Sequence, residues 1–171
     1  MKGYWRRSFY VFLCVGLLFS LVSCGSDDDD STNTDLLVAF TTNDTFGPGS
    51  LQRYNGTTGA SLGAFTSGGG LSAPVQAVFG PDGNLYVASF NSNSVERYNG
   101  TTGAPLRTFV TPGSGGLNGP TGVAFGRDGN LYVSSNTSGE VLRYDGETGA
   151  FKNIFVAAGQ QLFPAFLTFT P

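Results

Sequence analysis

Histidine is absent from all 171 residues. Its absence removes the commonest general base, the commonest zinc ligand and every Ser–His arrangement. Cysteine occurs only twice, at Cys14 and Cys24. Charge is also scarce, at 12% of residues. No basic stripe of the kind a phosphate backbone requires can be drawn, so nucleic acid is not an expected partner. Beyond residue 23 no helical hydrophobic period appears. What is abundant instead is glycine (26), phenylalanine (15) and tyrosine (7), arranged as short apolar runs between turn residues, the pattern of an all-β chain.

The N-terminus reads separately. Lys2, Arg6 and Arg7 precede the apolar run SFYVFLCVGLLFS, which is too short and wrongly flanked for an ordinary membrane span. A basic start, an apolar middle and a small-residue cleavage site make a secretory signal over residues 1–23. The stretch LVSC, Leu21 to Cys24, resembles the lipobox of bacterial lipoproteins. That resemblance implies lipidation at Cys24, which becomes the new N-terminus and ties the chain to a membrane. A plain signal with a coincidental cysteine and an uncleaved anchor are the alternatives. On the lipoprotein reading Cys14 leaves with the signal and Cys24 is blocked. The domain then has no thiol for a disulfide or a metal, although its compartment would permit disulfides. Residues 24–34 contain GSDDDDSTNT, a self-repelling segment that cannot build a core and reads as a flexible tether. Gly25 after the lipidated residue resembles outer-membrane sorting in enteric bacteria. The acidic patch resembles the surface-export signals of some Bacteroidetes lipoproteins, or is a solvated spacer without an address. The periplasmic and surface faces both stay open. With the signal removed, six basic residues stand against 12 acidic ones.

Residues 35–171 repeat. RYNGTTGA occurs at 53–60 and again at 97–104, and RYDGETGA at 143–150. The steps between Arg53, Arg97 and Arg143 are 44 and 46 residues; VFGPDGNLYVAS (78–89) and AFGRDGNLYVSS (124–135) are offset by 46, and Pro74, Pro120 and Pro164 by 46 and 44. Three independent markers agree on one period. Each unit parses into four short strands, in the middle one APVQAVF, NLYVAS, SVERY and APLRTFV. GPDG turns between the first and second, and NGTTG between the third and fourth. An Asn-Gly between strand-like runs is a strong hairpin signal, so Gly56, Gly100 and Gly146 are expected where the backbone turns. Tyr54, Tyr98 and Tyr144 are expected to offer apolar area to a neighbouring sheet. Arg53, Arg97 and Arg143 are expected to pack their stems between sheets, with the guanidinium reaching solvent or a carboxylate.

Four strands at a period of 40–50 residues are the signature of β-propeller blades. The phrase PTGVAFGRDGNLYVSS is similar to the NHL repeat and its streptogramin-lyase-like and gluconolactonase-like relatives, a resemblance that covers residues 35–171. The family often places Asp after the second strand and Arg before the third; this chain has Ser89 and Ser94, then Ser135 and Glu140. Expected blades run roughly over 35–70, 71–116 and 117–160, with a closing strand at 161–171. The first unit supplies strands two, three and four, and QLFPAFLTFTP aligns with a first strand standing alone. Three blades fall below the usual four to eight. Two chains closing head to tail into a six-bladed homodimer, a shortened descendant of a longer propeller, and a larger trimer or a partner chain all remain open.

The resemblance implies a catalytic His in the lyases, which this chain lacks, and a divalent metal held by Glu, Asn and Asp in the central channel of the lactonases. Here the channel-lining first strands read APVQAVF, GPTGVAF and FPAFLTF, where only Gln76 and Thr121 are polar enough to hold a ligand. Asp82, Asp128, Asp145 and Glu147 fall in turns, as turn formers. No metal, no cofactor and no catalytic residue is expected. The function expected is a lipid-anchored envelope binding or interaction module. A degenerate lyase or lactonase and a structural protein without ligand are the alternatives. Polar loops at one rim make Phe90, Asn91, Asn93, Asn136 and Ser138 the candidate contacts for a glycan or protein.

Overall fold

The computed structural model describes residues 21–22, 35–41, 48–159 and 163–170. Cys24, the tether at 24–34 and the remainder of the leader lie outside them.

Among the described residues, twelve strands form three four-stranded antiparallel sheets, each a meander in sequence order. The first holds β1 (Leu21–Val22), β2 (Leu36–Thr41), β3 (Pro48–Tyr54) and β4 (Ser61–Ser72). The second holds β5 (Pro74–Phe79), β6 (Leu85–Ser89), β7 (Ser94–Tyr98) and β8 (Pro105–Val110). The third holds β9 (Pro120–Phe125), β10 (Leu131–Ser135), β11 (Glu140–Tyr144) and β12 (Phe151–Val156). The only helical turn among the described residues is a 3-10 turn at Ser114–Gly116. The all-β architecture of four-stranded propeller blades, about three in this chain, is therefore what the structure shows.

The middle strands explain why the sheets stack. β6 (LYVAS) and β10 (LYVSS) are buried at every position, so both faces of each sheet need a neighbour. Because side chains alternate across a strand, Leu85 and Val87 point one way and Tyr86 and Ala88 the other. One core joins Leu37, Leu51 and Leu71 of the first blade to Ala77, Leu85, Val87 and Tyr98 of the second. A second joins Tyr86, Ala88, Val95, Phe109 and Val110 to Val123, Leu131, Val133, Leu142 and Tyr144 of the third. Each large side chain so placed contributes roughly 1.5–3 kcal/mol.

Two features lie at the ends. In the first sheet the inner-strand place is taken by Leu21–Val22, which the sequence pattern assigns to the leader; Leu21 pairs with Val38 and Val22 with Leu37. Residues 163–170 belong to no ladder but lie along β9: the Thr121 hydroxyl donates to the Pro164 carbonyl at 2.8 Å. The Phe169 ring meets Tyr132 edge-on at 5.0 Å, as Phe125 meets Tyr86 at 4.9 Å. The closing segment thus occupies the place a next first strand would take.

Candidate functional site

The thrice-written phrase is a turn. Asn99 Oδ1 accepts from the amides of Thr101 (3.0 Å) and Thr102 (2.8 Å), and the Gly103 amide donates to the Asn99 carbonyl (2.8 Å). Asn55 and Asp145 repeat this arrangement. The glycine that needs a left-handed backbone is the later one, Gly103 at φ 69° and Gly149 at φ 76°. Gly100 and Gly146 have no positive φ, which corrects the simple hairpin reading of Asn-Gly. A Cβ on either would overlap the carbonyl of Gly83 or Gly129 in the adjoining turn. Their constraint is a close approach of two turns.

Those adjoining turns hold the aspartates. Asp82 accepts from the Asn84 amide, the Asn84 side chain and the Tyr86 hydroxyl, with Arg97 at 3.6 Å. Asp128 repeats this with Asn130, Tyr132 and Arg143. Burial pushes the Asp82 carboxyl up, but the bonds from Asn84 and Tyr86 and the Arg97 charge outweigh it and hold the group below its ordinary value. Asp128 is lowered chiefly by the Asn130 side-chain bond. Burial and the bond to Asp82 push the Tyr86 hydroxyl up to about 12. Arg53 finds a carboxylate too, Asp35 at 3.4 Å. Asp82 and Asp128 act as turn formers that also seat an arginine.

At the rim the side chains named from the sequence are mostly engaged between blades. Asn93, in a left-handed backbone at φ 52°, accepts the Gly119 amide on its Oδ1 at 2.7 Å. Gln76 on β5 accepts the Val123 amide of β9 at 3.0 Å. Thr121 and Asn136 both donate to the Pro164 carbonyl. The Ser138 hydroxyl lies 2.7 Å from Ser135 Oγ and 3.0 Å from Glu140 Oε2. Phe90 is half-buried, its ring against Gly119, and Asn91 is exposed. Gln76 and Thr121 therefore bond to backbone of the next inner segment.

Sequence reasoning missed a buried polar chain beneath this rim. Ser89 Oγ accepts the Ser72 amide at 2.8 Å and donates to the Ser72 carbonyl at 3.1 Å; Ser135 does the same with Asn118 at 2.9 and 3.2 Å. From Ser89 the chain runs through Ser92 and Ser94 to Glu96, which is 3% exposed and accepts from Ser94 (2.6 Å) and Thr108 (2.9 Å). The signal was present at Ser89 and Ser94, which stand where the repeats this sequence resembles often carry Asp and Arg.

The outermost faces differ from the inner ones. Phe109 and Val110, covered by the third blade, are 3% and 0% exposed; Phe155 and Val156, one repeat later, are 51% and 45% exposed. Phe163, Phe166 and Phe169 of the closing segment add to this apolar surface. At the other end Leu36 and Tyr54 are half-buried, whereas Leu85, Leu131, Tyr98 and Tyr144 are fully buried. Burial, then the nearby Glu96 or Glu140 charge, raises the hydroxyls of Tyr98 and Tyr144 above their ordinary value.

No family model matches the chain, and none of the curated proteins does. Among solved structures the chain is similar to one in a nidogen/laminin complex, with 19% identity and a TM-score of 0.55, over 77% of this chain and 46% of that one. It is also similar to a calcium-binding regucalcin from Agrobacterium tumefaciens, with 24% identity and a TM-score of 0.49, over 74% of this chain and 43% of that one. The chain thus spans less than half the length of the propellers it resembles. Blade architecture, stacking and the first of these likenesses agree on one fold, and the chain is a run of β-propeller blades.

Proposed function

We propose that this chain is a lipid-anchored protein of the bacterial cell envelope whose propeller blades serve as a protein-interaction module, not as an enzyme. One observation carries the interaction reading. The polar rim and inner-strand side chains are largely spent on blade-to-blade bonds, while accessible apolar side chains gather on the outer side of the third blade. Contiguous exposed apolar surface beside a rigid scaffold marks contact sites. Propellers host both enzymes and binders, and the similar solved structure comes from a protein–protein complex, that of nidogen and laminin. Anchoring rests on the lipobox resemblance at Cys24, and the outer membrane on Gly25 behind it.

The test of interaction is capture of envelope proteins by the full chain beside a glycan array, each repeated with Phe155→Asp. Protein capture that the substitution abolishes is expected. Binding unchanged by it, or glycan binding alone, would overturn the reading. For the anchor, fatty-acid labelling in the producing cell is expected for the native chain and lost in Cys24→Ala.

A further inference from the structure

The exposed outer face of the third blade and the half-buried inner face of the first have matching chemistry. We propose that the outer face of the third blade receives the inner face of the first blade of a second copy of this chain, and that two copies close head to tail into one ring. This names the partner for the interaction surface above and rests on that reading.

The support is the contact the molecule already makes twice. Where the first blade meets the second, a Cβ on Gly103 would overlap the Phe65 carbonyl; where the second meets the third, a Cβ on Gly149 would overlap the Phe109 carbonyl. The Tyr98 hydroxyl donates to the Gly68 carbonyl and the Tyr144 hydroxyl to the Ser114 carbonyl, each at 2.7 Å. Phe155 and Gly59 hold the corresponding places at the two ends, and the space beside Gly59 is open. Leu36 pairs with Tyr54 across the first sheet as Leu85 pairs with Tyr98 and Leu131 with Tyr144. At the centre of that face, Gln52 stands where the other blades have Glu96 and Leu142, so no charge is forced under cover. The third blade's outer face repeats the second's, with Tyr132 between Phe155 and Phe169 as Tyr86 lies between Phe109 and Phe125.

The strand edge fits as well. Leu21 and Val22 sit opposite Val38 and Leu37, in the register that Ala77 and Val78 use on Val87 and Tyr86, and Val123 and Ala124 on Val133 and Tyr132. Leu167 and Thr168 match those same places in the closing segment. Removal of the leader frees the β2 edge for the second copy's closing segment. With three four-stranded sheets in each copy, two copies bring six blades together, within the usual four to eight. Each seam is head to tail, and a two-fold axis relates the two seams that close the ring.

The test is the mass in solution of the chain purified from expressing cells, by light scattering in mild detergent, with intact mass spectrometry reading the N-terminus. Twice the chain mass is expected. Phe155→Asp alone and Tyr54→Asp alone should each give single copies, and mixing the two should restore pairs, because the mixed pair keeps one native contact. Phe155→Ser and Tyr54→Ser, checked for native circular dichroism, repeat the test with milder changes. A native chain of single mass, or Tyr54 variants that stay paired while Phe155 variants do not, would overturn the proposal. Single copies that still capture another envelope protein would overturn it while leaving the interaction reading standing.

Discussion

Phe109 and Phe155 are the same residue in two copies of one repeat, and only one of them is covered. Both lie in the fourth strand of a blade, and both meet a tyrosine ring edge-on, Tyr86 at 4.8 Å and Tyr132 at 4.7 Å. The difference comes entirely from the neighbour on the C-terminal side: a full blade over Phe109, and a closing segment beside Phe155. A blade in this protein is therefore not an independent core. Its apolar content is completed by the next blade, as in other arrays where each unit contacts only its neighbours.

The contrast is tested most severely at those two rings. Phe109→Ala should cost about 3–5 kcal/mol, while Phe155→Ala in single copies should cost about 1 kcal/mol or less. Urea unfolding of each, followed by fluorescence, measures the gap; equal losses at high dilution would show that coverage is not what separates them. Next come the turn glycines. Gly149→Ala forces a left-handed backbone and displaces the Phe109 carbonyl, and should cost more than about 2 kcal/mol. In single copies Gly59→Ala meets the strain alone, about 1 kcal/mol. Third, Tyr98→Phe removes the bond to the Gly68 carbonyl and should cost about 1 kcal/mol, against less than about 0.5 kcal/mol for the half-buried Tyr54→Phe in single copies.

The smallest effect concerns the turns themselves, since the third carries Asp145 where the others carry Asn55 and Asn99. The Thr148 hydroxyl and amide, then Lys152 and the Glu147 amide, lower the Asp145 carboxyl from 3.8 to about 2. A carboxyl lowered by folding contributes stability that is complete above its unfolded value and lost as pH falls through its folded one. Melting temperature should therefore fall between about pH 4 and pH 2, and Asp145→Asn should flatten part of that decline. An identical acid limb in the variant would mean that the turn does not depend on the charge.

The repeats were plain in the sequence because blade geometry is written locally. GPDG, NLYV and RYNG each state a turn or strand within a few residues, and the stacked sheets follow from that period. The partners of the rim residues were not legible. Gln76 reaches Val123, Asn93 reaches Gly119 and Thr121 reaches Pro164, and no local pattern announces a bond across 26 to 47 residues. The glycines of the Asn-Gly pairs misled for the same reason, since their constraint comes from a neighbouring turn's backbone. Glu96 was visible as an acid outside the turns, but its burial depends on Thr108 and the serines folding around it.

The paired bonds of Ser89 to Ser72, and of Ser135 to Asn118, carry an evolutionary consequence. Each hydroxyl clips the incoming crossover by both its amide and its carbonyl, and the clip belongs to the unit that the crossover enters. The second and third units each carry their own fastening, so recombination that adds or removes one of them moves its clip with it, whereas the first unit has Phe40 in that place. Arrays built this way can change length by whole units while their joints stay intact.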